Sequence, residues 1–339
     1  MNFIKASYEI LEQQEDLAGI HKQIELAGRT CYHSEDKITA DSAKCFVERM
    51  IKSGHGAMLE HGTVYLAMPM STILPMSANP WYLYTVNPYS KGGTVCEVNG
   101  EKRVAVTTNL RVLVDNGRLD DLQYLCDPTP FHERRVTVKF TCDRVTGESF
   151  LRHRTIDEDH PSVEGEVTRE SERDVDSFAR ESTRYCNYTK EKFGSELTYV
   201  QPSEITDEDI QKAEEKWNIR TLERSERGSM FRWMCSELAN GVEYDDMFGV
   251  VDTWLFAGLA TEWVYNRLIS LGWKPQQARR KLTMDIKSPL VMTAFVSDWK
   301  HFFELRADPA AHPQAQELAI PLQKEFYKKG LLVDSEYNG

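Results

Sequence analysis

The sequence predicts a mixed α/β (α+β) protein, with several strands in its middle and helices at both ends. Three patterns support this class. Apolar and polar residues alternate over Arg134–Cys142, apolar residues recur at helical spacing over 17–33 and 38–53, and residues 250–271 are almost continuously apolar. At 339 residues, of which 41% are hydrophobic, the chain can bury a large core.

Two further segments have the composition of strands. Residues Thr63–Met68 are mostly apolar and β-branched or aromatic. Residues Arg103–Val114 are rich in Val and Thr and are followed by the turn signal Asp115-Asn116-Gly117, so we predict a second strand there.

Residues 250–271 predict a buried helix, because they are apolar on nearly all sides and have helical length. Gly272 suits the position that follows a helix, and Pro275 suits the first turn of the next one.

A last helix is predicted to begin at Ser297 or Asp298. Its core-facing stripe contains Trp299, Phe302 and Phe303, and Arg306 occupies the next position of that stripe. A guanidinium on such a stripe needs a partner, because burying it unpaired costs several kcal/mol.

The overall charge and the cysteines exclude several classes of protein. A formal net charge of −12 argues against general binding of nucleic acids or anionic membranes. The seven cysteines are scattered without a C-x-x-C pair, which favours reduced thiols over disulfides or a zinc site. The first 14 residues lack the apolar region of a signal peptide, and no stretch is apolar enough to span a membrane, so we expect a cytoplasmic protein.

Cations are concentrated in one part of this acidic chain. Arg152-His153-Arg154 is followed by Arg180 and by the hydroxyl-rich segment Ser182-Thr183-Arg184. Guanidinium groups bind phosphate oxygens, and a helix beginning at Ser182 would add backbone N–H groups, so the pattern predicts a pocket for a phosphorylated ligand. The alternatives are a surface basic patch paired with the acidic residues that follow it, and an ordinary helix cap.

Two segments are strongly charged. Residues 155–176 contain nine acidic residues and two arginines, which predicts a solvated excursion. Residues 203–228 are also dominated by charge and predict an exposed helix and turn.

A turn near residue 55 carries His55, Glu60 and His61. Its spacing is not H-E-x-x-H, so a polar turn lining a cofactor pocket is favoured over a metal site. The chain also lacks the G-x-G-x-x-G and G-x-x-x-x-G-K-[ST] fingerprints of nucleotide-binding loops.

Taken together, these motifs resemble the flavin-dependent thymidylate synthases over about residues 27–318. The family signature is an Arg-His-Arg triplet, a spacer with Ser, and then Glu-Ser-x-Arg-Tyr, which stand here as Arg152–Arg154 and Ser177–Tyr185. Supporting matches occur in the family's order at Gly28–Tyr32, Gly54–His61, Pro275–Arg279 and Phe302–Arg306.

The chain departs from the family pattern in four places. The spacer after Arg154 is about twenty residues longer than usual, Arg180 stands where Gln is common, Thr283 replaces a common Pro, and Phe295 replaces an Asn of some members. We therefore expect one domain over residues 1–339, with an insertion at about 155–176 and a charged helical excursion at about 203–228.

The resemblance implies a mixed sheet flanked by helices and methylation of dUMP to dTMP. Methylenetetrahydrofolate would supply the carbon, NADPH the electrons, and FAD would carry the hydride. All four ligands are anionic, which accounts for cations on an acidic chain. None of the seven cysteines is followed by His, unlike the nucleophile of the other thymidylate synthase class. The family is a homotetramer with shared active sites.

The resemblance also implies roles for individual residues. Arg306 would be the catalytic residue, stabilising negative charge on the uracil ring. The dUMP-binding residues would be Arg152, Arg180, Glu181, Ser182, Thr183, Arg184, Arg279 and Arg306. The FAD-binding residues would be Cys31, His55, Glu60, Arg152, His153, Arg154 and His301. No metal site is expected.

Two other functions compete with this one. A non-catalytic nucleotide sensor of the same fold is favoured only by the long acidic spacer. An RNA-binding module would use the Arg-His-Arg triplet with Tyr185 and Tyr188 as stacking platforms. The acidic segment and the net charge of −12 oppose that module.

Overall fold

The computed structural model describes residues 1–71, 73–98, 100–151, 176–217 and 249–333. Its strands are β1 Asn2–Ile4, β2 Ser7–Leu11, β3 Thr63–Pro69, β4 Lys91–Val98, β5 Glu101–Asn109, β6 Arg135–Thr141, β7 Ser177–Arg180, β8 Thr198–Val200 and β9 Leu290–Phe295. Its helices are α1 Leu17–Tyr32, α2 Ser42–Lys52, α3 Gly56–Leu59, α4 Tyr82–Thr85, α5 Leu110–Asp115, α6 Arg144–Phe150, α7 Asp207–Trp217, α8 Val250–Ser270, α9 Pro275–Ala278, α10 Val296–Arg306 and α11 Pro313–Lys328.

The chain forms two compact units. The smaller unit contains Met1–Ala6, Cys142–Thr146 and Ser182–Ser288, and the larger unit contains Ser7–Thr141, Gly147–Glu181 and Pro289–Gly339. The expectation of one domain over residues 1–339 stays a prediction. The predicted insertion at 155–176 falls outside the described residues except for its last position. Within the predicted charged excursion at 203–228, helix α7 covers Asp207–Trp217, and residues 218–228 lie outside the described residues.

The larger unit contains an antiparallel sheet in the order β2-β6-β9-β7. Its strand β9 is buried along its whole length, because helices cover both faces. On one face, Ala27 and Cys31 of α1 pack with Val291. On the other, Trp299 of α10 lies with its ring 6.2 Å from that of Phe140. The predicted mixed α/β class, with a sheet flanked by helices, is confirmed.

A second sheet of the larger unit has the order β3-β5-β4 and packs against α1 and α2. Ile24, Phe46 and Val106 belong to its buried cluster, and burial of each such side chain contributes about 1.5–3 kcal/mol. The two helices approach closely at Gly28, where a Cβ atom would lie 2.5 Å from the Phe46 ring. A side chain at this position would push the helices apart.

The predicted strand over Arg103–Val114 is wrong in its second half. Strand β5 ends at Asn109, whose side-chain oxygen accepts a hydrogen bond from the Val112 backbone N–H at 3.1 Å. This cap starts helix α5, which buries Leu110 and Leu113. The Val-rich composition predicted a strand, but a capping side chain and burial decide the local structure.

The smaller unit contains a parallel pair, β1 and β8, and the long helix α8. Leu255 and Leu259 of α8 belong to a buried cluster that includes Tyr199, whose hydroxyl donates to the Gly258 carbonyl at 2.9 Å. Helix α8 was expected to be buried all round, but Val250 is 81% exposed. Val250 is the first residue of the 21-residue helix, and Trp263 further along it is 49% exposed, so the apolar sequence overstated the burial of this helix.

Helix α10 confirms the predicted last helix and its stripe. The side chain of Asp298 accepts from the Phe295 backbone N–H at 3.2 Å and so starts the helix. Trp299, Phe302 and Phe303 are buried, and Arg306 is half-buried at the end of the helix.

None of the helices in the described part of the chain combines the length and hydropathy that crossing a membrane requires.

Candidate active site

The segment Ser182–Cys186 forms a single tight turn. The backbone N–H groups of Tyr185 and Cys186 both donate to the Ser182 carbonyl, at 3.1 and 3.0 Å. The helix expected to begin at Ser182 is therefore wrong beyond this turn. The chain is diverted by Asn187, whose side chain accepts from the backbone N–H and the hydroxyl of Thr189 at 3.1 and 2.8 Å.

Arg279 meets this turn from a distant part of the sequence. It follows helix α9, and its Nη1 lies 3.5 Å from the Thr183 hydroxyl, 96 residues away along the chain. Arg184 lies beside the same turn, exposed, with its guanidinium carbon 5.2 Å from the centre of the Tyr185 ring. Among the described residues, neither arginine has a carboxylate within 4 Å, so their charges are not compensated.

Glu181 precedes the turn and is buried. Its Oε2 lies 2.8 Å from Nδ1 of His33, which must donate in this pair because the carboxylate only accepts. His33 has a φ of 45°, a left-handed conformation that costs a non-glycine residue about 1–2 kcal/mol. Sequence reasoning missed His33. Its position directly after the Gly28–Tyr32 match was the only signal for it.

Arg180 and Cys31 lie next to Glu181. A guanidinium nitrogen of Arg180 lies 3.7 Å from Oε1 of Glu148. Burial raises the pKa of the Cys31 thiol to about 12, although a backbone hydrogen bond from Arg180 opposes the shift. Cys31 is therefore a neutral thiol at physiological pH and not a nucleophile.

Glu60 is buried, and its carboxylate is already paired with the guanidinium of Arg111. Arg111 also contacts Asp115 at 3.0 Å. Arg111 belongs to the segment mispredicted as a strand, so sequence reasoning could not place it beside Glu60. His55 precedes helix α3 and is exposed.

His61 is fully buried against the central sheet. Its Nδ1 lies 2.8 Å from the Thr293 hydroxyl, which also lies 2.8 Å from the Thr137 hydroxyl. Burial, with a contribution from the nearby Arg135 charge, lowers the pKa of His61 to about 3. The residue is thus neutral and joins strands β6 and β9 to the segment after α3. Within the described ranges, no group of three or more His, Cys, Asp or Glu residues could hold a metal ion.

Arg306 has the partner that its place on the α10 stripe required. Its Nη2 donates to the Ser149 carbonyl at 2.5 Å, in the chain segment that leads to the Arg-His-Arg triplet. His301, on the same helix, is partly exposed and has Nδ1 3.6 Å from Oε2 of Glu304.

The structure brings together two groups of the predicted site residues. Thr183 and Arg279 meet in the smaller unit, and Cys31, Arg180 and Glu181 are neighbours in the larger unit. Glu60 is paired with Arg111, His301 lies near Glu304 and Arg306 donates to Ser149, while His55 is exposed. The predictions for Arg152, His153 and Arg154 lie outside the described residues.

Comparison with known proteins gives one family. The model of the family "Thymidylate synthase complementing protein" matches residues 99–329, which is more than half of the chain. No curated protein gives a significant match to the sequence.

Two solved structures from Streptomyces cacaoi are similar to this chain at low identity. A UMP/dUMP methylase PolB bound with 5-Br dUMP is 14% identical, with a TM-score of 0.37 over 98% of this chain and 93% of its own. The same methylase bound with 5-Br UMP is 12% identical, with a TM-score of 0.39 over 97% and 92%.

The family match includes the Glu181–Tyr185 signature, Arg279 and Arg306. The chain therefore belongs to the thymidylate synthase complementing protein family, the flavin-dependent thymidylate synthases, and is an enzyme of the thymidylate synthase type.

Proposed function

We propose that this protein methylates dUMP to dTMP, with methylenetetrahydrofolate as carbon donor, NADPH as reductant and FAD as carrier of the hydride. The contact between Arg279 and Thr183 supports the proposal most directly. It brings together two residues that were predicted to bind dUMP and that are 96 residues apart in the chain.

The turn at Ser182–Arg184 and Arg279 would bind the phosphate of dUMP. Both arginines lack carboxylate partners among the described residues, so an incoming phosphate would not have to displace an internal anion. Each charge-assisted hydrogen bond would contribute about 1.5–3 kcal/mol. Arg152 and Arg180 would add positive charge, and Glu181, held by His33, would bind a neutral donor of the nucleotide.

Arg306 would act on the uracil ring. Negative charge develops on the ring as hydride arrives at C6, and a fixed guanidinium stabilises it without reorganisation. The hydrogen bond to the Ser149 carbonyl holds Nη2 in place and restricts the side chain. The cation therefore requires little ordering when the nucleotide binds.

The residues of this chain fit a bound flavin with one exception. His55 and His301 are accessible imidazoles that can contact it, and Cys31 presents a neutral group. Arg152, His153 and Arg154 would complete the FAD site. Glu60 does not fit a direct contact, because its buried carboxylate is paired with Arg111, and it would instead orient that arginine. When bound, FAD supplies the redox chemistry.

The assembly and the location of the protein complete the proposal. A homotetramer, as the family resemblance implies, would let residues from different subunits line one active site. The scattered cysteines favour a reducing, cytoplasmic environment.

The release of tritium from [5-³H]dUMP tests the activity. The purified protein should release tritium to water when methylenetetrahydrofolate, NADPH and FAD are all present, because the methylene group replaces the hydrogen at C5. Omitting the folate should abolish release. Binding of dUMP without tritium release would contradict the proposal and favour the nucleotide sensor.

A further inference from the structure

A cavity of about 390 Å³ opens in the larger unit where strand β2 ends beside the start of β6. None of its lining residues belongs to the proposed nucleotide or flavin sites. Its polar lining includes Gln13, Thr63, Tyr65, Arg134, Arg135 and Lys329.

Arg135 places a buried positive charge at this cavity. Arg135 is 8% exposed, and its guanidinium donates to three neutral oxygens: the Glu60 carbonyl at 3.0 Å, the Ser177 hydroxyl at 3.2 Å and the Thr63 hydroxyl at 3.5 Å. Its Nε has no acceptor. Among the described residues, no carboxylate lies within 4 Å of it. A buried cation that touches no carboxylate still attracts anions, because the surrounding protein screens its charge poorly.

Arg134 and Lys329 add accessible positive charge to the cavity. Arg134 is exposed, and its guanidinium carbon lies 5.9 Å from the centre of the Tyr65 ring. In the described part of the chain, no carboxylate lies within 4 Å of this guanidinium. Lys329 is paired with Glu12 at 2.9 Å. Glu12 and Glu15 also line the cavity, so its lining has three basic and two acidic side chains.

Neutral groups of the cavity are held in fixed positions. The amide of Gln13 pairs with the backbone of Thr63 through two hydrogen bonds, at 2.8 and 2.9 Å. The Tyr65 hydroxyl accepts from the Arg135 backbone N–H at 3.2 Å, so its own proton can be donated to a ligand.

We infer that this cavity binds the oxyanion group of a small molecule, a phosphate or a carboxylate. Arg134 and Lys329 contact the anion, and Tyr65 donates a hydrogen bond to it. The buried Arg135 contributes further positive charge from within the lining of the cavity. A phosphate binds more tightly than a carboxylate, because it carries more charge and more acceptor oxygens.

Calorimetric titration with inorganic phosphate tests this site in the full-length protein. Arg134→Gln combined with Lys329→Gln should weaken one phosphate site at least tenfold, since each removes a charge-assisted contact. The matched control combines Arg49→Gln with Lys52→Gln, because both residues are exposed and Arg49 also lies over an aromatic ring. That control should bind phosphate like the wild type.

Two further variants separate this site from other phosphate sites. Arg279→Gln, which alters the proposed nucleotide site, should leave this phosphate site intact. Glu12→Gln removes a negative charge from the lining and releases Lys329, so it should tighten phosphate binding. Acetate should compete weakly with phosphate. Unchanged phosphate affinity in the Arg134/Lys329 variant, or weaker binding in Glu12→Gln, would overturn the inference.

Discussion

The turn at Ser182–Arg184 and the larger unit differ in whether their charged side chains have partners of opposite charge. At the turn, Arg184 and Arg279 have no carboxylate partner among the described residues. In the larger unit, Glu60 is paired with Arg111, and Glu181 is paired with His33. The first arrangement is prepared for an anion from outside, and in the second each carboxylate already has a basic partner within the chain.

This difference predicts two kinds of variant. Substitutions at the unpaired cations should weaken ligand binding or catalysis and leave the fold intact. Substitutions at the internal pairs should lower the free energy of unfolding, because they leave a buried charge without a partner. We expect Arg306 to behave like the first kind, because its guanidinium donates to the neutral Ser149 carbonyl and is proposed to act on the uracil ring.

Arg306→Ala should have the largest effect. Loss of the guanidinium that stabilises charge on the uracil ring should lower kcat for dTMP formation by about 10²–10³-fold. The unfolding midpoint and the yellow colour of the purified protein should stay close to those of the wild type. Lys300→Ala, on an exposed position of the same helix, is the control. Near-normal turnover in Arg306→Ala would remove this residue from the chemistry.

The second prediction concerns the pH dependence of stability at His61. Burial lowers the pKa of His61 from 6.5 to about 3, so the unfolded chain binds a proton more readily. The stabilisation is complete above the unfolded pKa and is lost as the pH falls from 6.5 towards 3. At pH 4 the loss should be about 3 kcal/mol.

Chemical unfolding between pH 4 and 7 measures this loss. His61→Asn keeps a donor near the Thr293 hydroxyl but cannot titrate, so its stability should fall less steeply with decreasing pH. His312→Asn, at an exposed helix start, should retain the slope of the wild type. Identical slopes for His61→Asn and the wild type would mean that this imidazole is not held neutral.

The sequence was most informative where local pattern and burial agree. Strand Arg134–Cys142 and the stripe of Trp299, Phe302 and Phe303 were predicted because their periodicity reflects the faces that they bury. The helix at Leu110–Asp115 was missed because a single capping side chain, Asn109, overrides a β-prone composition.

The candidate site was predictable as a set of residues but not as a set of contacts. Motif order identified Thr183 and Arg279, yet nothing in their spacing indicates a separation of 3.5 Å between side-chain atoms. The pairing of Glu60 with Arg111 was also invisible, because it depends on the packing of two short helices. Charge compensation is a property of the fold, and a linear pattern cannot report it.

Arg111→Ala tests the internal pairs and should lower the free energy of unfolding by about 1–3 kcal/mol, because Glu60 would stay buried without its partner. Arg103→Ala is the control, since Arg103 pairs with the exposed Glu101 and such pairs contribute at most about 1 kcal/mol. Urea unfolding at pH 7 compares them. Equal losses of unfolding free energy in the two variants would mean that the burial of Glu60 does not strengthen its pair with Arg111.

Arg279→Gln should give the smallest effect, a KM for dUMP raised about tenfold with the unfolding midpoint unchanged. Arg280→Gln changes the neighbouring exposed cation and should leave KM close to that of the wild type. Steady-state assays with varied dUMP provide the comparison. A change in stability without a change in KM would place Arg279 among the structural residues.

The affinities of dUMP and deoxyuridine, measured by calorimetry, test the central claim most directly, because the two ligands differ only in the phosphate. We expect the wild type to bind dUMP about a hundredfold more tightly than deoxyuridine, and the ratio to fall sharply in a variant that combines Arg184→Gln with Arg279→Gln. Equal affinity for the two ligands, or a ratio unaffected by these substitutions, would contradict the assignment of the turn as a phosphate site.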